Sequence, residues 1–140
     1  MGVVLYNEYL EGIGFNWGAW GKLTRIAERY GWIPKGTEYP PFDKRDETRE
    51  EYERGRRPWS GGYDTNDTQV VTADDAKALA DALERALLDM PDEEPPEKSR
   101  AEIAALSAAE SEVRCCSGPA AKAWVRDFIE FAREGSFRIG

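Results

Sequence analysis

The sequence predicts one α+β domain, mainly helical, with about four helices and a small sheet or hairpin of short strands. Three observations support this fold class. The length of 140 residues suits a single domain, and 41% hydrophobic residues are sufficient for one packed core. Apolar residues recur at helical spacing in several separate stretches. Short runs of β-branched or alternating residues between them are typical of strands.

The first predicted helix covers residues 16–30. Asn16 belongs to the residue types that cap helix N-termini, and Gly31 can take the left-handed conformation that ends a helix. Helical spacing gives this segment a core-facing side formed by Trp17, Trp20, Leu23, Thr24 and Ala27.

The clearest helix in the sequence covers residues 72–88. Thr72 and Asp75 have the spacing of a capping box, with Asp in the place of the usual Glu. On the outer face, opposite charges four residues apart are typical of an ordinary solvated surface. An apolar stripe that continues to Leu88 is formed by Ala76, Leu79, Ala80, Leu83, Ala86 and Leu87.

Two further helices are predicted after an acidic linker at residues 91–98. Ser99 and Glu102 form a second capping box, which predicts a third helix with a weaker apolar stripe. That stripe consists of Ile103, Leu106 and Val113. Pro119 marks the start of the last helix and Gly135 its end. Its core-facing residues are Ala121, Trp124, Val125, Phe128 and Phe131.

The strand signals lie at residues 3–5, 69–71 and 137–139. The last of them can pair with either of the other two. Residues 41–58 form a mixed-charge insertion that contributes no apolar face. It is either a mobile segment or a short exposed helix held by opposite charges four residues apart, and we expect the mobile segment.

The charge of the chain is concentrated in one region. Residues 72–112 contain twelve Asp and Glu against four Lys and Arg, whereas the rest of the chain has fifteen of each. An isoelectric point near 4.7 disfavours direct nucleic-acid binding, because phosphate backbones repel a negative protein. A protein partner with a basic surface is therefore expected.

The chain contains no histidine. This excludes Ser-His-Asp and Cys-His catalysis and a His-ligated zinc site. The adjacent Cys115 and Cys116 rarely form a disulfide with each other, because the intervening peptide unit strains the geometry, so buried structural thiols and a cytoplasmic location are expected. We expect no cofactor and no metal. We also expect no membrane insertion, since no apolar run approaches the roughly twenty residues that span a bilayer.

The first functional hypothesis is a non-enzymatic, acidic cytoplasmic protein that binds a basic protein surface. An immunity protein, or an inhibitor of a nuclease or CRISPR-type effector, has this character. The charge localisation motivates it, since complementary charge accelerates association. Its candidate residues are Asp81, Glu84 and Asp89 on the second helix.

The alternative is a small-molecule binding protein or enzyme that uses the loop at residues 59–69, at the start of the 72–88 helix. Aromatic rings can stack on a ligand, and a helix start presents unpaired N–H groups. The same residue types also satisfy the backbone of tight turns, and both interpretations stay open. A calcium loop is disfavoured, because Gln69 occupies the position that needs Gly. The candidate residues are Trp59, Tyr63, Asp64, Asn66 and Asp67.

Three stretches follow the pattern NWxxW, GWxPxGT and GGYDTNDxQVVTxxDA, at residues 16–20, 31–37 and 61–76. In them the chain resembles a group of small uncharacterised bacterial proteins. The resemblance implies a shared fold and carries no activity. The insertion at 41–58 and the linker are where the chain is expected to differ from that group.

Overall fold

The computed structural model describes residues 2–9, 11–38 and 61–140 and confirms the predicted α+β fold. The insertion predicted at 41–58 lies outside the described residues. The strands are β1 (Gly2–Asn7), β2 (Gly12–Asn16), β3 (Gln69–Val71) and β4 (Phe137–Ile139). The helices are α1 (Trp17–Arg29), α2 (Ala73–Asp89), α3 (Arg100–Ala104), α4 (Ala108–Cys115) and α5 (Pro119–Arg133).

The four strands form one antiparallel sheet in the order β2-β1-β4-β3. β4 lies between β1 and β3, so both pairings that the sequence left open are present. Ile139 is opposite Leu5 on one side and Gln69 on the other. Because β4 comes from the end of the described chain and β1 from its start, the sheet joins distant parts of the sequence.

β2 is a strand that the sequence pattern does not predict. This strand pairs with β1 and places Phe15 opposite Val3, with both side chains in the core. Gly12 and Gly14 alternate with the apolar residues of the strand. Because glycine is depleted in strands, it concealed the alternation.

An aromatic cluster joins the helices to the sheet. Trp20 on α1, Phe128 on α5 and Phe137 on β4 are completely or almost completely buried. The ring centroids of Trp20 and Phe128 are 5.9 Å apart, and those of Phe128 and Phe137 are 6.0 Å apart, both edge to face. Such pairs add about 0.5 to 1.5 kcal/mol beyond the burial of their apolar area. α2 packs against both α1 and α5 around this cluster.

The helix ends follow the predicted signals. The Asn16 side chain accepts a hydrogen bond from the Ala19 amide at 2.7 Å, and Thr72 accepts one from the Asp75 amide at 3.3 Å. Gly31 follows α1 with a φ of 100°, in the left-handed region. Pro119 occupies the first turn of α5, where its missing N–H costs nothing.

The segment after the linker departs from the prediction. Its apolar stripe was expected on one helix, but Ser107 caps a second helix by accepting a hydrogen bond from the Glu110 amide at 3.1 Å, so α3 and α4 are separate. The stripe does not enter the core: Ile103 and Val113 are exposed. Leu88, at the end of the predicted stripe of α2, is exposed as well. None of the helices in the described residues combines the length and apolarity needed to cross a bilayer.

Candidate binding surfaces

Asp75 connects the predicted loop site to the rest of the fold. Its side chain is completely buried in the first turn of α2. One carboxylate oxygen accepts a hydrogen bond from Trp32 Nε1 at 2.9 Å and a longer one from the Lys35 amide at 3.4 Å. The other oxygen accepts one from the Tyr63 hydroxyl at 2.5 Å. Asp75 therefore holds two separate segments, 32–35 and 61–63, against the start of α2.

Tyr63 is half-buried, and its hydroxyl has a partner both as a donor and as an acceptor of hydrogen bonds. Its hydroxyl donates to Asp75 and accepts from the Gly36 amide at 3.0 Å, and its ring lies edge-on to Trp32 with centroids 5.3 Å apart. Burial, followed by the hydrogen bond to Asp75, raises the pKa of the Tyr63 hydroxyl well above its usual range. Tyr63 is thus a neutral, structural donor in this geometry.

The Gln69 side chain forms hydrogen bonds with the backbone of the remaining part of the loop. Its side chain is completely buried, and its amide nitrogen donates to the carbonyl oxygens of Thr65 at 2.7 Å and Gly62 at 3.3 Å. Its amide oxygen accepts from the Asp67 backbone N–H at 3.0 Å. Polar side chains of the loop therefore form hydrogen bonds with the loop's own backbone, as the turn interpretation expected.

The predicted loop residues occupy different environments. Tyr63 lies against the start of α2, Asp67 is half-buried, and Asp64 and Asn66 are exposed. The structure therefore does not gather them around one point. Trp59 lies outside the described residues. Gln69 and Asp75, which organise the loop together with Trp32, were not among the predicted site residues; the position of Asp75 in a capping box was the available signal.

The acidic region is divided by the fold into paired and unpaired carboxylates. Glu112 on α4 is buried between two arginines of α1: Arg25 Nε donates to one oxygen at 3.1 Å, and Arg29 Nη2 lies 2.9 Å from the other as an ion pair. On α2, Asp81 and Glu84 both form ion pairs with Arg133 of α5. These carboxylates connect helices.

Two more carboxylates of this region are held within the fold. Asp89 accepts a hydrogen bond from the Tyr30 hydroxyl at 3.0 Å. Asp92 pairs at 2.6 Å with the ammonium group of Lys122, a residue that is itself buried, and this contact lowers the pKa of Asp92. All three acidic residues predicted as a binding face, Asp81, Glu84 and Asp89, thus have intramolecular partners.

Three unpaired carboxylates lie in the linker beside a groove of about 510 Å³. Glu93 and Glu94 are exposed at its edge, Glu97 is exposed nearby, and none of the three side chains makes a hydrogen bond or ion pair in the part of the chain that the structure describes. The apolar lining consists of Pro91, Pro95, Pro96, Leu106, Ala109 and Val113. The sequence-based prediction described the linker only as a break between helices. The combination of prolines and carboxylates was the signal in the sequence that could have indicated a binding surface there.

The two cysteines end α4. Cys115 is half-buried, Cys116 is buried, and both are free thiols. The adjacent Cys116 thiol and nearby Lys22 lower the pKa of Cys115 to about 7. The neighbouring Cys115 and burial raise the pKa of Cys116. Among residues 2–9, 11–38 and 61–140, no group of three or more Cys, Asp or Glu side chains is arranged to hold a metal ion.

No protein-family model matches the chain, and neither a curated protein nor a solved structure with significant similarity to it was found.

Proposed function

We propose that this protein is an acidic interaction protein that binds a basic surface of another protein, in the manner of an immunity protein or of an inhibitor of a nuclease or CRISPR-type effector. One observation carries the proposal. Glu93, Glu94 and Glu97 are exposed and unpaired within the described residues, and they lie next to an apolar groove. Negative charge beside an apolar depression is suited to a protein partner that supplies both basic and apolar side chains.

The linker carboxylates are better placed for this role than those of α2. A carboxylate that already has a cationic partner contributes little field at a distance, because the two charges nearly cancel. Arg133 compensates one of the two negative charges of Asp81 and Glu84, so that cluster keeps a net charge of −1, whereas Glu93, Glu94 and Glu97 keep all three of theirs. We therefore place the centre of the proposed interface on the linker, with the α2 face at its margin.

The alternative of a ligand site in the loop at residues 59–69 receives less support. Its best candidate, Tyr63, already has partners for both donor and acceptor functions. Asp64 and Asn66 remain open to solvent, and a small ligand bound there would have no buried polar group to recognise it.

A charge-reversal experiment tests the proposal. The linker variant carries Glu93→Lys, Glu94→Lys and Glu97→Lys. The control carries Glu28→Lys, Asp127→Lys and Glu130→Lys, which make the same change in net charge at exposed positions on α1 and α5. Each protein is immobilised, exposed to a lysate of its host at about 50 and 150 mM salt, and the retained proteins are quantified by mass spectrometry.

We expect wild type and the control to retain a basic protein that the linker variant loses, with less retained at the higher salt. Screening of long-range charge is the reason for the salt effect. Retention by the linker variant at the wild-type level, or retention that is indifferent to salt, contradicts the proposal.

A further inference from the structure

We infer that the groove between the linker and α4 binds one short segment of the basic partner, which inserts large apolar side chains between Pro95 and Val113 and places Lys or Arg side chains against Glu93 and Glu94. This inference rests on the proposed function and adds to it the part of the partner that is recognised. It also identifies apolar burial, in addition to charge, as a source of affinity.

The groove is preformed, because its linker wall is attached to the fold at several points. The Gly118 amide donates to the Pro91 carbonyl at 3.0 Å, and Arg114 Nη1 donates to the Pro96 carbonyl at 2.7 Å. Gly118 has a φ of 93°, and a Cβ there would lie 2.9 Å from Glu94 Cα. The linker therefore packs directly on the start of α5. A wall that is already ordered costs little conformational entropy on binding.

The floor of the groove is apolar and open to solvent. Val113 is 39% exposed, and Leu106 and Ala109 beside it are half-buried. α3, which precedes these residues, contributes no buried residue to the core. The volume of about 510 Å³ lies within the range of sites that bury a ligand of drug size, roughly 300 to 1,000 Å³. It is sufficient for a few large apolar side chains of a segment that crosses an open groove.

The charge around the groove selects a basic occupant. The lining contains three carboxylates, Glu93, Glu94 and Glu110, against the two cations Lys98 and Arg114, so its net charge is −1. The Arg114 side chain donates to the Pro96 carbonyl. Glu93 and Glu94 make no hydrogen bond or ion pair among the described residues. An acidic segment would bring like charges together, which disfavours its binding.

Two fluorescein-labelled peptides of Leu and Lys serve as probes. Both contain fifteen residues and have identical composition. In the amphipathic probe the leucines follow helical spacing and form one face, whereas in the scrambled probe they are distributed over all faces. Because charge and composition are equal, any difference in affinity reports the clustering of apolar side chains. Fluorescence anisotropy gives the dissociation constants.

Two matched variants locate the binding. Ala109→Trp fills the groove with a large side chain, whereas Ala108→Trp places the same side chain on the neighbouring, exposed position of α4, outside the groove. Val113→Ser is a third variant that removes apolar floor without adding bulk. Circular dichroism and thermal unfolding of each variant establish that α4 and the fold are retained.

We expect wild type and Ala108→Trp to prefer the amphipathic probe by about tenfold. Ala109→Trp should lose that preference, and Val113→Ser should reduce it several-fold, because a buried apolar contact is removed. The inference is overturned if wild type binds both probes equally, or if folded Ala109→Trp keeps the wild-type preference. Failure of this inference is distinguishable from failure of the proposed function, because the lysate experiment changes the charge of Glu93, Glu94 and Glu97, whereas the two probes carry equal charge and differ only in the clustering of their apolar side chains.

Discussion

At the scale of single residues, Asp75 has the most exacting surroundings. Its carboxylate only accepts hydrogen bonds, and the donors around it are Trp32, Tyr63 and the Lys35 amide. In Asp75→Asn, the side-chain NH2 replaces one acceptor with a donor that faces another donor. We expect this substitution to lower the free energy of unfolding by about 2 to 3 kcal/mol, measured by urea denaturation.

The neighbouring substitution Asp74→Asn is the control for Asp75→Asn, because Asp74 is exposed in the same turn of α2. Its effect should stay within about 0.5 kcal/mol. Equal effects of the two substitutions would show that the buried hydrogen bonds of Asp75 do not contribute to stability.

Cys115 gives a prediction about pH. Its pKa is lowered to about 7, mainly by the adjacent Cys116 thiol, so the reactive thiolate should form as the pH rises through that value. The rate of alkylation by iodoacetamide should increase with a midpoint near pH 7, and a single thiol of the folded protein should react, because Cys116 is buried. Mass spectrometry after a timed quench measures both results.

The substitution Cys116→Ser tests the cause of the Cys115 shift. A hydroxyl in place of the Cys116 thiol alters the donor that stabilises the thiolate, so the midpoint for Cys115 should move away from its wild-type value. Cys115→Ser should abolish the reaction of the folded protein. A wild-type midpoint near the ordinary cysteine value of 9.0 would contradict the assignment.

At the scale of elements, α2 is the helix on which the core depends most. Leu83 is 1% exposed between α1 and α5, whereas Leu88 on the same helix is 84% exposed. Leu83→Ala should therefore cost about 2 to 5 kcal/mol of unfolding free energy, since it removes buried methyl groups and leaves a cavity. Leu88→Ala makes the identical chemical change at the surface and should cost less than about 0.5 kcal/mol in the same urea titration. A loss below that figure for Leu83→Ala would mean that the core face of α2 is wrongly assigned.

At the scale of the whole molecule, β4 contacts strands and helices from both ends of the described chain. It pairs with β1 and β3 and carries Phe137 into the cluster formed with α1 and α5. We therefore expect one cooperative transition in urea, coincident by far-ultraviolet circular dichroism and by tryptophan fluorescence. Ile139→Ala should shift both signals together, and Arg138→Ala, on the opposite face of β4, should shift them much less. Separate transitions for the two signals would contradict this description.

Much of the fold was predictable because its signals are local. Asn16, Thr72 and Pro119 each lie within a few residues of the helix start that they mark, and α1, α2 and α5 are present as expected. β2 was missed because its two glycines weaken a short-range pattern. The division into α3 and α4 had a local signal as well, the spacing of Ser107 and Glu110, but the apolar stripe across it suggested a continuous helix.

The candidate site was less predictable than the fold. The excess of carboxylates at residues 72–112 was visible in the sequence, but their pairing was not. The groove requires the linker to pack on Gly118, which is distant in sequence from Glu94. No pattern of spacing within the linker reports that contact.

The sequence by itself determined where α1, α2 and α5 begin, which residue types are available and where the net charge is concentrated. Caps, propensities and periodicity act over a few residues, so a linear chain displays them. Only the tertiary structure decided which carboxylates remain available to a partner. Arg133 meets Asp81 across 52 residues and Arg25 meets Glu112 across 87, and such pairs exist only after the helices have packed.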